Sequence, residues 1–429
     1  MTLYLIIGGS LLILMALRVP VALAMIISST LTLLVDGTVP MIVVPQRLWG
    51  GLESFPLLAI PFFVFAGVLM NHGGGAEAIF RFFLTLLGHI RGGLAYINVM
   101  ASIVFAGMSG AATADAAGLG SIEIEAMKKD GYRPEFAAAV TAASSTIGPI
   151  IPPSVPLIVY GVMAQVSVGK LFIAGIIPGL LMGVAMMAVI AIVLRNENQP
   201  VKAKSAVGEI ASSFIESFWA LLAPVVILGG IFSGVFTPTE AGAVAALYAL
   251  ILGFIYKGIR WRNIGALGAI VVESVLTTAQ VTFIVAAAGL FGWVLTRYGF
   301  PGFVSDMLLS ITANKHMALL LIGVAMLLAG CFIDALSLLI MMTPVVVPIA
   351  LVFGIDLTQL GVVVVLACMI GLITPPVGIC LYIVSDLACV PMIRVAKAMI
   401  PFYLALIITL VLISLVPFLT IYLPSLIKL

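Results

Sequence analysis

The sequence predicts an all-α polytopic membrane protein with inverted structural repeats, two re-entrant helical hairpins and two broken helices. Three observations carry that expectation: an apolar composition, long apolar runs with short polar punctuation, and a sequence pattern that recurs in the second half of the chain. Of 429 residues, 63% are hydrophobic and 8% are charged, against about a quarter charged in soluble domains. Mean hydropathy is +1.32, which excludes a water-soluble globule. A spanning helix needs about 20 apolar residues, so the chain has material for on the order of a dozen crossings. A formal net charge of +2 argues against a nucleic-acid partner, and apolar runs reaching nearly both ends argue against disorder. The lipid bilayer is the first partner.

The first run, Leu3 to Leu17, has the length of a signal core but no basic stretch before it. Apolar sequence resumes after Arg18-Val19-Pro20 and continues to Val35, so two retained helices are expected. Polar punctuation follows at Asp36 to Gln46, Asn71 to Gly75, Glu123 to Glu135, Arg195 to Glu209, Thr237 to Glu240, Lys257 to Asn263, Arg297 to Gly302 and Asn314 to His316. No linker is long enough to join soluble domains, so residues 1–429 read as one membrane domain. Cys331, Cys368, Cys380 and Cys389 form no C-x-x-C pair, which argues against a disulfide framework or a zinc site.

Basic residues orient the chain. Three loops carry clusters: Lys128, Lys129 and Arg133; Arg195, Lys202 and Lys204; Lys257, Arg260 and Arg262. Two crossings separate the first loop from the second (136–165 and 171–194), and two more separate the second from the third (213–233 and 240–257). All three loops then fall on one side, which the positive-inside rule makes cytoplasmic.

Gly148-Pro-Ile-Ile-Pro-Pro153 aligns without gaps to Gly371-Leu-Ile-Thr-Pro-Pro376, and Pro178 and Pro401 keep the same offset of 223. Phe65-Ala-Gly-Val-Leu69 matches Phe291-Gly-Trp-Val-Leu295, and Asp115 corresponds to Asp334. The loop count places the two copies in opposite orientations. Residues 60–194 and 264–424 form the repeats, with 195–263 as connecting helices and scaffold. Inverted repeats with interrupted helices are the architecture of secondary transporters, whose sites lie at the repeat interface near the midplane.

Two of the interruptions are Pro-Pro breaks, Ser144 to Ser154 and Gly371 to Gly378. Proline removes a donor and stops the helix. The freed carbonyls then need another positive partner inside the bilayer. Hard cations favour cages of oxygens, and Ser144, Ser145, Thr146 and Thr374 place hydroxyls beside those carbonyls, so a hard monovalent cation such as Na+ is expected there. Simple proline kinks with hydroxyls bonded to their own helices are the competing reading. The other two interruptions, Gly107 to Gly120 and Gly330 to Ser337, are dense in small residues and read as hairpins with tips at Ser109-Gly110 and Gly330-Cys331. A half-helix N-terminus at a tip attracts anions. Asp115 and Asp334 are too costly to face lipid, so they either support bound cations electrostatically or cap the returning arms.

Other features read as structural. Gly175, Gly179 and Gly183 recur at helical spacing and suggest close packing, Trp261 suggests an interface anchor, and the Met and Phe abundance reads as lipid-facing filler. Gly107-Met-Ser-Gly110 superficially matches an intramembrane serine protease. Such a serine needs a basic partner at its own depth, and His72, His89 and His316 all lie at run ends. No enzyme is expected. A passive channel suits paired interrupted repeats less well than alternating access does.

At these residues the chain resembles the large membrane subunit of the tripartite ATP-independent periplasmic (TRAP) transporters. The similarity runs through Ile60-Pro-Phe-Phe-Val-Phe-Ala-Gly-Val-Leu-Met70, Gly107 to Gly120, Gly148-Pro-Ile-Ile-Pro-Pro-Ser154, Gly234-Val-Phe-Thr-Pro-Thr-Glu-Ala241 and Gly371 to Gly378. The resemblance implies an elevator-type, sodium-coupled importer of an organic acid: a C4-dicarboxylate, sialic acid or a sugar acid. A small four-helix membrane subunit, here expected as a separate chain, and a periplasmic substrate-binding protein would be its partners. By position, one sodium site would involve Ser109, Gly110, Ser145 and Gly148, and a second Gly330, Thr374 and Pro375. Substrate would lie between the hairpin tips, near Ser109, Ser144, Thr146 and Thr374. Cys331 departs from the Gly or hydroxyl expected at the second tip. A one-component sodium/dicarboxylate symporter is the alternative, although the Ser-Asn-Thr tips usual there are absent.

Overall fold

The computed structural model describes residues 2–196, 203–256 and 264–426, with the side chains of Thr2, Ser109, Asn196, Ile264 and Ala266 outside that description. Lys202, Lys257, Arg260, Trp261 and Arg262, which entered the orientation and anchor arguments, lie outside the described residues. Every regular element among the described residues is helical. The chain opens with α1 (Thr2–Ala16), α2 (Val21–Asp36) and α3 (Val43–Gly50), then α4 (Ala59–His72) and α5 (Gly75–Leu87). The first hairpin is α6 (Gly93–Ser109) returning through α7 (Ala112–Ala117) and α8 (Leu119–Lys129), and the first broken helix is α9 (Pro134–Ser145) with α10 (Val155–Ala164). After α11 (Val168–Val193), α12 (Val207–Phe232) and α13 (Pro238–Ile255), α14 (Ile264–Arg297) and α15 (Phe300–Ile311) lead into the second hairpin, α16 (Lys315–Gly330) and α17 (Ala335–Val352). The second broken helix is α18 (Leu357–Leu372) with α19 (Ile379–Ala388), followed by α20 (Met392–Ala398), α21 (Ile400–Leu415) and α22 (Phe418–Leu426).

The same succession thus occurs twice, and the two broken helices run in opposite directions. Lys128 Nζ, at the end of the first hairpin, donates to the Ala388 carbonyl at the end of α19. Tyr160 Oη, near the end of α10, donates to the Leu357 carbonyl at the start of α18. The α9–α10 pair therefore starts at the end of the bundle where α18–α19 finishes. Each half-helix beyond a break packs on the other repeat: α10 on α17 and α18, α19 on α7 and α9. A second group, α2, α3, α4, α12, α13 and α14, packs around α4–α13 and α14 contacts.

By length and composition, six helices among the described residues can cross a membrane, or up to nine if each bent pair is one span. That is fewer than the dozen the composition allows. Each broken helix divides its apolar residues between two short halves, and α6 of the first hairpin is itself too short, whereas α17 of the second is one of the six. The Gly175, Gly179 and Gly183 stripe does serve close packing. A Cβ at Gly175 would stand 2.2 Å from the Ile150 carbonyl oxygen, and one at Gly183 2.6 Å from Ile103, so α11 is the bed on which the first break rests. The reading of Met and Phe as lipid-facing filler is corrected: Phe105, Phe172, Phe402 and Met25 are among the largest fully buried side chains.

Candidate functional site

Each hairpin tip meets the Pro-Pro break of its own repeat. At the first tip α6 ends in Ser109, and Gly110 turns the chain with φ +61°, a left-handed conformation that costs other residues about 1–2 kcal/mol. Its position also leaves no room for a side chain, since a Cβ would stand 2.6 Å from the Pro153 carbonyl oxygen. Asp115, buried in α7, lies against Gly148, where a Cβ would stand 2.3 Å from its Oδ2. At the second tip, a Cβ on Gly371 would stand 2.6 Å from the Gly330 carbonyl carbon and 2.7 Å from its Cα. The Val377 amide donates to the Cys331 carbonyl at 3.2 Å. Cys331 thus serves the second tip through its main chain, which its side chain does not alter.

Proline at i+4 explains which carbonyls the breaks release. Ser145 faces Pro149, Gly148 faces Pro152 and Leu372 faces Pro376, so none of these three carbonyls has its helical donor. No donor to them occurs among the described residues, whereas Tyr403 Oη donates to the Ile373 carbonyl at 2.6 Å. The Ser145 hydroxyl donates to the Ala142 carbonyl at 2.9 Å and the Thr374 hydroxyl to the Ile370 carbonyl at 2.6 Å. Both hydroxyls spend their proton inside their own helix, which leaves their oxygen lone pairs to accept. The arrangement suits a small hard cation, which wants oxygens and no protons.

The remaining candidates have other surroundings. Ser144 is fully buried and donates to Asn98 Oδ1 at 2.7 Å, while Asn98 Nδ2 donates to Thr141 at 2.7 Å. That network ties α6 to α9. Thr146 donates to the Ala143 carbonyl at 2.6 Å. Asp334 caps α17, accepting from the Ser337 amide at 3.2 Å. The structure therefore gives Asp334 the capping role that the sequence left open, on the rim of the cavity described next.

That cavity, of about 670 Å³, lies between the two hairpins, the first break and the helices α4 and α14. Three helix starts reach it: Ala112 and Thr113 of α7, Val155 and Pro156 of α10, and Ala335 and Leu336 of α17. Asn71, His72, Glu77 and Glu273 line its mouth. Their end of α4 adjoins Gly253 and Tyr256 of α13, just before the third basic loop, so the cavity faces the end that carries the basic loops. His72 Nε2 and Glu273 Oε2 lie 3.3 Å apart, both exposed. Ser144, Thr146 and Thr374 are not among the described lining residues, and the Ser109 side chain lies outside the description. The sequence reading missed Asn71, Thr113, Asn98 and Tyr403. Asn71 was legible only as punctuation between runs, and nothing in spacing marks a tyrosine thirty residues away as a partner of a break.

A membrane chain with two hairpin tips set against two released-carbonyl breaks, beside a cavity ringed by helix starts, has the architecture of a membrane transporter. Residues 9–419 match the model of the DctM component of the tripartite ATP-independent periplasmic transporters, and the chain belongs to that family. It is 42% identical over 409 residues to the sialic acid TRAP transporter large permease protein SiaM of Vibrio cholerae, covering 95% of each chain. It is 39% identical over 374 residues to the C4-dicarboxylate TRAP transporter large permease protein DctM of Pseudomonas aeruginosa, covering 87% of each. Among solved structures, the YdaH transporter of Alcanivorax borkumensis shares the fold, with a TM-score of 0.66 at 16% identity over 88% of each chain. The family is one of transport permeases, not of enzymes, and the chain is a multi-pass membrane protein.

Proposed function

We propose that this chain is the large permease of a sodium-coupled TRAP importer for a small organic acid in a bacterial inner membrane, working by an elevator mechanism. A small four-helix membrane subunit and a periplasmic substrate-binding protein complete the transporter. The observation that carries the reading is the seating of each hairpin tip on a break whose carbonyls at Ser145, Gly148 and Leu372 have lost their helical donors. Sodium would be held by Gly110, Ser145 and Gly148 at the first site, with Ser109 adjoining, and by Gly330, Thr374 and Pro375 at the second.

The cavity supports an anionic substrate recognised without a cationic side chain. The start of α10 turns part of a positive charge toward the cavity, and no Lys or Arg lines the cavity among the described residues. An acid entering beside Asp334 meets like charge, which a bound cation offsets; that is the electrostatic reason for coupling. The mobile body would comprise the hairpins and broken helices, which pack on each other across the repeats, and the scaffold the α4, α13 and α14 group. SiaM and DctM are named for sialic acid and C4-dicarboxylates, and a cavity of about 670 Å³ has room for an acid of either class.

The test is uptake of radiolabelled sialic acid or succinate into proteoliposomes holding the permease, its small subunit and the cognate binding protein. Uptake should require an inward sodium gradient and the binding protein. Equal uptake with choline replacing sodium would overturn the coupling, and full uptake without a binding protein would favour a one-component symporter.

A further inference from the structure

The first hairpin and the first break share a polar contact that neither sodium site uses. Asn98, inside α6, is fully buried. Its Nδ2 donates to the Thr141 hydroxyl at 2.7 Å, and its Oδ1 accepts from the Ser144 hydroxyl at 2.7 Å. Nδ2 also lies 4.0 Å from the Met127 sulfur on α8. One amide therefore joins both arms of the hairpin to the end of α9. Thr141 and Ser144 are three residues apart and share one side of that helix, and Ser144 is the residue before Ser145, whose carbonyl the break releases.

Burying an amide and two hydroxyls in an apolar bundle is costly unless each is bonded, and here each of the three has a partner. The second repeat does without such a trio. At the offset of 223, Thr141 and Ser144 correspond to Val364 and Ala367, and from Met317 to Gly330 α16 carries no hydroxyl or amide side chain. There α16 meets α18 through glycines instead. A Cβ at Gly323 would stand 3.3 Å from Val363 Cγ1, and one at Gly330 3.4 Å from the Cys368 carbonyl oxygen. Seating a hairpin on a break thus requires no buried amide, and the trio serves something particular to the first unit.

The course of α6 shows what that is. From Asn98 the helix runs unbroken to Ser109 and the Gly110 tip, a length of about 16 Å at 1.5 Å per residue. The tip is seated against Pro153, so α6 is held at two points, and any rotation or sliding at the Asn98 end displaces the tip. The oxygens of the first site come from different elements, Gly110 on the tip and Ser145 and Gly148 on the break, and such a constellation tolerates a misplacement of only about 0.5 Å. Resting on the sodium reading above, we propose that Asn98 is a positioning residue of the first sodium site. Through Thr141 and Ser144 it fixes the rotation and height of α6 against α9, and with them the distance from tip to break. Ser144, whose place in a hydroxyl run suggested a ligand, acts in the same way: its proton holds Asn98.

The experiment measures the sodium half-saturation of uptake in proteoliposomes holding the permease, its small subunit and the cognate binding protein, together with sodium-dependent thermal stabilisation of the purified full chain. Asn98→Ala and Ser144→Ala should each raise half-saturation about tenfold, as loss of an outer-shell partner does at metal sites, with the rate at saturating sodium little changed. Together the two should cost less than their sum, because they break one shared bond. Gln359→Leu is the control. It removes another buried amide, bonded to the Ile413 and Ser414 carbonyls, and should lower the melting temperature without moving sodium half-saturation. Lowered melting temperatures with wild-type sodium titrations in Asn98→Ala and Ser144→Ala would make the trio a fold staple and overturn the proposal, as would an equal sodium shift in Gln359→Leu. Should the Asn98 variant not fold, Thr141→Val, which removes a single acceptor, must still raise half-saturation, and an unmoved titration there overturns the proposal. A wild-type transporter indifferent to sodium overturns the sodium reading itself, a result distinct from a sodium-dependent wild type with unshifted variants.

Discussion

Replacing Gly371 by Ala puts the most direct strain on the contact between a hairpin tip and a break. The new Cβ would stand 2.6 Å from the Gly330 carbonyl carbon, 2.7 Å from its Cα and 2.8 Å from the Leu327 carbonyl oxygen. All three are main-chain atoms, so no side chain can swing aside. Ordinary contact begins near 3.4 Å, leaving a shortfall of about 0.8 Å. Overpacking of this kind costs about 1–3 kcal/mol, and a rigid main-chain partner places it at the upper end. Gly371 lies in α18, where Ala is intrinsically better by about 1 kcal/mol. The net expectation is a loss of about 2 kcal/mol and a second tip lifted off its break. Sodium half-saturation of uptake should then rise about tenfold or more, since 1.4 kcal/mol is a factor of ten. Thermal unfolding in detergent and sodium titration of uptake measure the two effects. Gly229→Ala is the control, because its Cβ meets nothing within 4 Å in the last turn of α12, and it should be neutral or stabilising. A Gly371→Ala protein as stable as wild type, with unchanged sodium dependence, would refute the argument that the tip is seated by main-chain contact.

Other expectations follow from single bonds. Asn caps helices as well as Asp does, so Asp334→Asn should keep stability while Asp334→Ala loses about 1 kcal/mol; impaired uptake in the Asn variant alone would then report the charge. Tyr403→Phe strips the donor from the Ile373 carbonyl, and thermal denaturation should show a loss of about 1–3 kcal/mol; an unchanged melting point would mean another group replaces it. Ser145→Ala and Thr374→Ala remove only a hydroxyl that donates to its own helix. They should leave folding nearly intact while weakening the sodium dependence of uptake, and identical sodium titrations would remove both oxygens from the sites. Gly148→Ala and Asp115→Ala should be non-additive in a double-mutant cycle of unfolding free energies, because the first collides with the second; simple additivity would place them apart.

Much of the hairpin and break layout was legible in the chain. The tips fell at Gly110 and Gly330 because glycine beside small residues breaks an apolar helix, and the breaks fell at the Pro-Pro pairs because proline cannot donate. Asp334 remained ambiguous until its bond to the Ser337 amide appeared. Ser144 looked like a ligand by its place in a hydroxyl run. Its partner Asn98, 46 positions away, could be found only once α6 and α9 were side by side. The Met and Phe residues misled for a related reason: in a mostly apolar chain, hydropathy does not separate residues facing lipid from residues facing protein.

The sequence by itself determined that the chain dwells in a membrane, that its plan repeats, and where its helices must stop, since these depend on local chemistry: apolar length, missing amide hydrogens and backbone freedom. Only the tertiary structure decided that each tip rests on the break of its own repeat and that three helix starts ring one cavity. Those are relations between segments far apart in the chain, set by how uniformly apolar helices pack, and packing of that kind leaves no periodic trace along a single strand of residues.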